Sequence, residues 1–371
     1  MLNMPIKILH TSDLHLEAKL DFLGPKSAEH RKQLLLTFKE LVNRAISEKY
    51  DVVLIAGDLF DTPFPSENVK ALVSEELNRL ARNKIYVAVI AGNHDRLEQG
   101  SVYFDKRFSS EFVHIFNDPA NTTWEISALD LTVYGVSLLT QKDNSSPLSR
   151  IKLAKKTKNQ IALLHGSLEV KPGSTNNPIK QQELLAMNFN YVALGDWHST
   201  KQIYSPSIWY CGSPELINID QIGAGNFLSV LIDDKTKVTP VRIGKKEAVK
   251  LSMDITGAKT LSDLLQKWRQ IGLQQPNDKF VQLTLTGTKD LAAKFSEAEI
   301  KEYISEKVYY LKLNDTSSLL LSDEQLSAFP EEFLLGKYIR LLQKKKGEDY
   351  SQNRIIDEAI QLGVRLLQNQ E

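Results

Sequence analysis

The stretch VVLIAGDLFD, residues 52–61, decides the fold. An apolar run that ends at Ala56 is followed by Gly57 and then by two carboxylates, Asp58 and Asp61. An uninterrupted apolar run of strand length, rich in β-branched residues, is typical of a strand that is buried on both faces. The stretch therefore predicts a buried strand whose end carries acidic side chains.

Four similar runs lie elsewhere in the first 200 residues, at residues 6–9, 85–91, 161–164 and 191–194. Between the first three runs, apolar residues recur at three-and-four spacing, which predicts two amphipathic helices. Alternating strands and helices predict a largely parallel sheet with helices on its faces. Period-two alternation over residues 129–133 and 227–232 adds antiparallel strands. We expect an α/β fold with one mixed sheet or two stacked sheets.

Each of the five runs is followed by side chains that can bind a metal ion or move a proton. In chain order they are Asp13 and His15, then Asp58 and Asp61, then Asn93, His94 and Asp95, then His165, and finally Asp196 and His198. Because strands end together at the carboxyl edge of an open α/β sheet, we expect these side chains to converge. Carboxylate oxygen and imidazole nitrogen together suit Mn, Fe or Zn.

Each of these patterns has a plain structural explanation when it is taken alone. A Gly-Asp pair after a strand can be a turn, and Asn-His-Asp can cap a helix. Chance is a much weaker explanation for all five strand ends together, which use four of the seven histidines. We assign structural roles to the other three, with His10 and His114 in strands and His30 exposed on a helix.

Composition narrows the class of protein. The 371 residues predict about two domains, and 46 basic residues balance 46 acidic ones. This balance argues against a protein that holds nucleic acid by bulk electrostatics alone. The single cysteine excludes an intramolecular disulfide, and no stretch has the apolar length of a membrane span. We therefore expect a cytoplasmic protein without membrane contact.

The apolar pattern changes beyond residue 245. A small α+β unit is predicted there, from strand 250–255, helix 261–271, strand 280–285, helix 292–305 and strand 307–313. Beyond residue 315, apolar residues recur at helical spacing on either side of a Lys-Lys-Lys-Gly run and predict a helical hairpin with two apolar stripes. Such stripes can either pack back onto the protein or bind a partner. We predict three parts, at residues 1–245, 246–315 and 316–371.

The order Asp-x-His, Gly-Asp-x-x-Asp, Gly-Asn-His-Asp, His and Gly-x-x-His, from Asp13 to His198, resembles the calcineurin-like metallophosphoesterase superfamily. The resemblance implies a two-sheet sandwich flanked by helices around two divalent metal ions. Within the superfamily, the length, the stretch YCGSPE at residues 210–215 and the α+β unit resemble the SbcD-type DNA-repair nucleases. That branch implies a small capping domain and a C-terminal hairpin that docks on the coiled coil of an SMC-like ATPase of the SbcC type.

The resemblance also implies roles for individual residues. One metal ion is held by Asp13, His15, Asp58 and His198, and the second by Asn93, His165 and Asp196, with Asp58 bridging both. His94 becomes the general acid, tethered by Asp95, and Asp61 either orients a ligand histidine or is a turn residue. Arg96 directly follows the Gly-Asn-His-Asp turn, so we expect it near the metal ions, where it can bind a substrate phosphate. At position 196 the superfamily usually has His. The Asp in this chain can still bind metal, but it adds a third carboxylate to the site.

The resemblance favours a nuclease as the function. It implies a Mn²⁺-dependent exonuclease on double-stranded DNA ends, with single-strand endonuclease activity as a second expectation. The chain would act in DNA repair as the nuclease subunit beside the ATPase, with a homodimer as a further expectation. A stand-alone phosphodiesterase or phosphatase for a small substrate such as a cyclic nucleotide is the alternative, and a scaffold with a vestigial site is a third. The length of the chain beyond the metal domain favours the nuclease.

Overall fold

The computed structural model describes residues 5–153, 157–168, 177–204, 206–290, 293–320, 330, 333–347 and 350–368. The chain divides into two compact units, Met1–Ala248 and Val249–Glu371. Parts of the predicted hairpin, at residues 321–329, 331–332, 348–349 and 369–371, lie outside the described residues. Among the described helices, none is both long and apolar enough to cross a bilayer.

The first unit is built from strands with three α-helices between them. Its strands are β1 (Ile6–Thr11), β2 (Val52–Ala56), β3 (Tyr86–Ile90), β4 (Val113–Ile115), β5 (Thr123–Ile126), β6 (Leu131–Val136), β7 (Asn159–His165), β8 (Tyr191–Gly195), β9 (Lys201–Tyr204), β10 (Ile208–Tyr210), β11 (Asn226–Ile232) and β12 (Thr236–Arg242). The α-helices described there are α1 (Ser27–Ser47), α2 (Glu67–Arg82) and α3 (Gln181–Ala186).

These strands form two six-stranded sheets in the described part of the unit. The order is β12-β11-β1-β2-β3-β4 in one sheet and β5-β6-β7-β8-β10-β9 in the other. Strands β1 to β4 pair in parallel, as do β6, β7, β8 and β10, while β11, β12, β5 and β9 add antiparallel pairs. The expected α/β fold with two stacked sheets flanked by helices is confirmed.

Strand β2 shows why its sequence is uniformly apolar. Val52, Leu54 and Ala56 belong to the core cluster shared by both sheets. The alternate residues, Val53 and Ile55, face a small apolar space lined by side chains of α1 and α2. Both faces of the strand are therefore buried, and each large aliphatic side chain contributes about 1.5–3 kcal/mol relative to exposure.

His30 in α1 is not exposed, contrary to the expectation from sequence. Its side chain is buried, and Nε2 lies 2.5 Å from the carbonyl oxygen of Leu216. Burial lowers the pKa of the His30 imidazole, so the ring stays neutral more readily than a solvated histidine. The histidine therefore joins α1 to the loop that follows β10.

Glu215, in the same loop, has a buried carboxylate with four donors around it, one of which is the backbone N–H of Leu216 at 3.4 Å from Oε1. Its Oε2 accepts hydrogen bonds from Thr37 Oγ1 at 3.0 Å and from the backbone N–H of Lys245 at 2.8 Å. Its Oε1 accepts from the backbone N–H of Lys246 at 3.0 Å. One side chain thus connects α1 with the segment that follows β12.

In the described part of the second unit, a small sheet and two helices come first along the chain. Strands β13 (Glu247–Asp254), β14 (Lys279–Thr286) and β16 (Tyr310–Asp315) form a sheet in the order β13-β14-β16, and β15 (Thr288–Asp290) pairs with β17 (Ser318–Leu320). Helices α4 (Leu261–Gln270) and α5 (Glu297–Ser305) each begin with a capping box, at Thr260 and Ser296. The elements follow the order that the apolar pattern predicts, and a role as a capping domain stays a prediction.

The last two described helices, α6 (Leu334–Gln343) and α7 (Tyr350–Gln368), pack against each other. Their shared face is apolar and buried, and consists of Ile339, Ile356, Ile360 and Val364. Tyr338 donates a hydrogen bond to the Ala359 carbonyl at 2.6 Å. A second apolar face of the same helices is uncovered, at Leu334, Leu341, Ile355, Leu362 and Leu366, each more than half exposed.

Substitution of Glu215 by Gln should destabilise the first unit. The amide replaces one acceptor oxygen by an NH₂ group that faces a backbone N–H, and an unsatisfied buried donor costs about 1–3 kcal/mol. Urea unfolding of Glu215→Gln should therefore show a lower midpoint than the unsubstituted chain. The exposed Glu111→Gln is the matched control. Equal midpoints for both variants would show that this carboxylate does not stabilise the fold.

Candidate metal centre

The predicted site residues lie where parallel strands of both sheets end. Asp13 and His15 follow β1, Asp58 follows β2, Asn93 and His94 follow β3, His165 ends β7, and Asp196 and His198 follow β8. Three groups among them have candidate ligand atoms within 4.8 Å of one another, namely Asp13, His15 and His198; His15, Asp58 and His94; and Asp13, Asp58 and His165. The two sheets thus contribute to a single cluster.

The backbone in these loops has unusual conformations. Asp13, His15, Asp58 and Asp196 have positive φ angles of 53°, 44°, 51° and 101°. Such conformations cost about 1–3 kcal/mol each and persist only where the surroundings hold them. Here the loops hold one another, because the N–H of Asp13 donates to the Gly57 carbonyl at 3.1 Å and the N–H of His15 to the Asp58 carbonyl at 3.0 Å.

Glycine is needed beside the site mainly because neighbouring groups leave no room for a side chain. Gly57 has a φ of 84°, which suits the sharp turn expected after β2. A Cβ on Gly92 would lie 2.3 Å from Asp58 Oδ1, and one on Gly195 would lie 2.0 Å from the carbonyl oxygen of Ala56. At those two positions the absence of a side chain allows the strand ends to approach each other.

The first half of the cluster contains Asp13, His15 and His198. His15 Nε2 lies 3.5 Å from Asp58 Oδ2, and His198 Nε2 lies 4.0 Å from Asp13 Oδ1. Asp13 is held by Ser12, whose Oγ donates to Oδ2 at 2.5 Å, and by the N–H of Asp196, which donates to Oδ1 at 3.0 Å.

The second half is centred on His165. Its Nε2 lies 2.8 Å from Asn93 Oδ1, 3.4 Å from Asp58 Oδ2 and 3.9 Å from Asp196 Oδ1. The other oxygen of Asp196, Oδ2, accepts a hydrogen bond from Ser167 Oγ at 2.5 Å. Three oxygens and one nitrogen therefore face one another, and Asp58 belongs to both halves.

The proton positions on two histidines favour a cation in the cluster. His15 Nδ1 lies 3.0 Å from the Asp61 carboxylate and His165 Nδ1 lies 2.9 Å from the Ala56 carbonyl, so both Nδ1 atoms donate. Each Nε2 faces oxygens of the cluster, where it either carries a second proton or gives its lone pair to a cation, and His15 Nε2 is buried without a hydrogen-bond partner among the described residues. These side chains fit divalent metal ions, because ligating histidines usually donate their other N–H in this way.

His198 is arranged differently. The Gln221 amide nitrogen lies 2.7 Å from His198 Nδ1, while Gln221 Oε1 accepts from the backbone N–H groups of Ile217 and Asn218 at 2.8 and 3.1 Å. The amide therefore donates to Nδ1, and the neutral ring carries its proton on Nε2. Binding of a metal ion through Nε2 would require Gln221 to move off Nδ1.

Asp61 lies between two histidines. Its Oδ1 is 3.0 Å from His15 Nδ1 and 3.4 Å from His94 Nδ1. Burial would raise the pKa of Asp61, but the hydrogen bonds with His15 and His94 lower it to about 2. The hydrogen bond between Asp61 and His94, together with the charge of Asp58, raises the pKa of His94 to about 9. The His94 side chain is 38% exposed, so it can reach a substrate.

The expected tether of His94 by Asp95 is wrong, since Asp61 is the carboxylate beside the ring. Asp95 is fully buried, and its Oδ1 accepts from the backbone N–H of Gly92 at 2.7 Å. Its Oδ2 accepts from the N–H of Phe60 at 3.1 Å and from the Tyr103 hydroxyl at 2.5 Å. The carboxylate fixes the loops after β2 and β3 and acts on His94 only through its charge.

The guanidinium of Arg96 pairs with Glu98. Its Nη2 lies 3.1 Å from Oε1 and 3.0 Å from Oε2 of that carboxylate. A substrate phosphate would have to compete with Glu98 for the same group, so the phosphate-binding role of Arg96 stays a prediction.

Sequence patterns did not identify Ser167, Gln221 or Tyr103 as supporting residues. Ser167 stands two positions after His165, and that proximity is the signal that could have identified it. Gln221 stands 23 residues after His198, whose ring it contacts, and Tyr103 stands eight residues after Asp95. Nothing in the local sequence of either residue distinguishes it from an ordinary loop polar residue.

Residues 6–200, slightly more than half of the chain, match the family model for calcineurin-like phosphoesterases. The chain belongs to this family, as the strand-end motifs predicted. The cluster of candidate metal ligands is what a metal-dependent phosphodiesterase of the family requires.

Several curated proteins are similar to this chain. The DNA double-strand break repair protein Mre11 of Sulfurisphaera tokodaii is 31% identical over 228 residues, 58% of this chain and 56% of that protein. The uncharacterized metallophosphoesterase YhaO of Bacillus subtilis is 25% identical over 273 residues, 70% and 66% of the two chains. The SbcD component of nuclease SbcCD from Staphylococcus epidermidis is 28% identical over 236 residues, 56% and 61%. The matches span between 56% and 66% of the length of these relatives. Those to Mre11 and to the SbcD component support the DNA-repair branch.

Substitution of Asp196 by His should change which metal the site retains. Asn93, Asp58 and Asp196 offer oxygens beside one imidazole, and oxygen ligands favour Mn²⁺ over Zn²⁺ relative to nitrogen. After dialysis against equimolar Mn²⁺ and Zn²⁺, elemental analysis should find a larger Zn²⁺ share in Asp196→His than in the unsubstituted chain. Asp234→His, at an exposed turn, controls for the added imidazole. A metal ratio unchanged by Asp196→His would remove Asp196 from the ligand set.

Proposed function

We propose that this protein is a Mn²⁺-dependent DNA nuclease that hydrolyses phosphodiester bonds. The proposal makes it an exonuclease on double-stranded ends, with single-strand endonuclease activity as a second reaction. The main support for this proposal is the cluster of candidate metal ligands. In it, buried carboxylates and imidazoles from five strand ends lie close to the partly exposed ring of His94. The similarity to Mre11 and to the SbcD component of SbcCD supports DNA as the substrate.

The side chains divide into metal ligands and a proton donor. Asp13, His15, Asp58 and His198 would hold one ion, and Asn93, His165, Asp196 and Asp58 the other. Ions held there would supply Lewis acidity and lower the pKa of a water molecule. His94 turns Nδ1 toward Asp61, which leaves Nε2 to pass a proton to the leaving oxygen. Asp61 is a positioning residue, because it holds His94 and His15 together.

Substitution of His94 by Ala should remove most of the turnover without removing the metal. General acid catalysis typically contributes about 10²–10⁴-fold, so hydrolysis of linear duplex DNA in Mn²⁺ should fall by that order. Metal content, measured by elemental analysis, should stay at the unsubstituted level. His114→Ala is the matched control, since His114 is a half-buried histidine in β4, stacked on Trp124. An unchanged rate in His94→Ala would exclude His94 as the proton donor.

A small-substrate phosphodiesterase is the second candidate, because the similarity to the uncharacterized metallophosphoesterase YhaO over 70% of this chain supports a phosphoesterase without specifying its substrate. The same preparation should be assayed with linear duplex, hairpin and single-stranded DNA and with cyclic nucleotides. Turnover of cyclic nucleotides without DNA hydrolysis would favour this candidate over the nuclease.

The uncovered face of α6 and α7 supports the proposed ATPase partner. The spacings between Leu334 and Leu341 and between Ile355 and Leu362 are seven residues each, and Leu366 follows four residues later. Seven residues make about two helical turns, so the exposed side chains of each helix share one face, as apolar residues do in a coiled coil. Because the hairpin buries a different set of residues between its own helices, the exposed set is available to a partner helix. We therefore place an SMC-like coiled-coil ATPase of the SbcC type on this face, and the DNA-repair setting implies a cytoplasmic location. A homodimer of the chain stays a further prediction.

Charge substitutions on this face should separate partner binding from catalysis. Leu341→Glu with Leu362→Glu should abolish co-purification with a co-expressed SbcC-type ATPase, because both side chains are exposed and both charges would enter the apolar seam. Thermal unfolding and Mn²⁺-dependent DNA hydrolysis should stay near the unsubstituted values. Leu36→Glu, an exposed leucine in α1, is the matched control. Unfolding of the double variant would show instead that the face is part of the core of the second unit.

A further inference from the structure

Trp197 is exposed at the edge of the metal centre. It stands between Asp196 and His198, and its side chain is 52% exposed, although tryptophan usually buries most of its large surface. Lys201 Nζ lies 5.2 Å from the centre of the indole ring. A packing role, which would cover the ring with apolar side chains, does not account for this exposure.

The backbone on both sides of Trp197 is fixed. The N–H of Asp196 donates to Asp13 Oδ1 at 3.0 Å, and the His198 carbonyl accepts from the N–H of Ser213 at 2.9 Å. The backbone that carries the indole is thus fixed, while about half of the residue's surface is exposed. Such a ring loses little conformational freedom when a flat ligand stacks on it.

We propose that Trp197 and Lys201 form a stacking platform for an exposed nucleobase of the substrate. One face of the indole carries the lysine cation, and the base stacks on the other. The ammonium group of Lys201 lies where it can also neutralise a phosphate of the neighbouring nucleotide. This inference rests on the proposed nuclease function and names the structural feature of the substrate that the site recognises.

The platform selects nucleic acid with an open base face. Within a duplex both faces of each base are covered by neighbouring bases, so a free face exists at strand ends and in single strands. Stacking on an aromatic side chain changes affinity by about 5- to 150-fold per base and does not depend on base identity. The platform therefore accounts for end and single-strand recognition without base-specific contacts.

The experiment pairs a protein variant with a substrate variant. The unsubstituted chain and Trp197→Ala are assayed in Mn²⁺ with a single-stranded oligonucleotide and with the same oligonucleotide carrying abasic sites at its terminal nucleotides. Trp197→Ala should raise KM for the normal oligonucleotide by about 5- to 150-fold with little change in kcat. The abasic substrate should be bound equally poorly by both proteins, and Trp197→Phe should recover much of the loss. Tyr204→Ala, an exposed aromatic residue in β9, is the matched control.

Two results would overturn the inference. If Trp197→Ala impaired normal and abasic substrates equally, Trp197 would act by holding Asp196 and His198 rather than by stacking. If the variant left both substrates unaffected, the ring would not contact DNA. The proposed function fails separately, since that would appear as an absence of DNA hydrolysis by the unsubstituted chain.

Discussion

The buried carboxylate of Asp58 is the group on which the rest of the site depends. It is 1% exposed, and its Oδ2 lies 3.5 Å from His15 Nε2 and 3.4 Å from His165 Nε2, one histidine from each sheet. Removal of an anion from water costs several kcal/mol unless positive charge compensates it. Asp13 adds a second buried carboxylate in the same cluster. The sandwich therefore holds a concentration of negative charge that cations must balance.

The buried carboxylates also accept hydrogen bonds that join the strained loops around them. Asp58 takes a positive φ, and its Oδ1 accepts the N–H of His94 at 2.8 Å, which joins the loops after β2 and β3. Asp95, buried behind it, accepts the N–H groups of Gly92 and Phe60, and burial raises its pKa to about 6. The same hydrogen bonds hold the strained backbone conformations in place and stabilise the buried charges. A change at one loop is therefore expected to disturb its neighbours.

The sequence predicted the position of a site residue where the end of an apolar run determines that position. It did not predict which side chains contact each other where the side-chain conformation decides the contact. Strand ends located Asp13, Asp58 and His165 because parallel strands end at a common edge. The family resemblance implied Asp95 as the partner of His94, yet Asp61, from the preceding strand end, lies beside that ring, because backbone donors hold Asp95. His30 was misplaced although a signal was present, since it stands four residues before the buried Leu34 on the same helical face.

The balanced composition, 46 basic against 46 acidic residues, takes on a different meaning beside this site. A phosphodiester that approaches Asp13, Asp58 and Asp196 meets three carboxylates, and Coulomb repulsion between like charges is strong in a partly buried setting. Substrate and metal binding should therefore be coupled, because cations must neutralise the carboxylates before a phosphate can occupy the same edge. Lys201 beside Trp197 lies outside that carboxylate cluster and offers a positive group to the substrate at the rim. The phosphate at the metal centre would then depend on the charge of the bound cations, whereas the nucleotide at the rim would depend on the charge of Lys201.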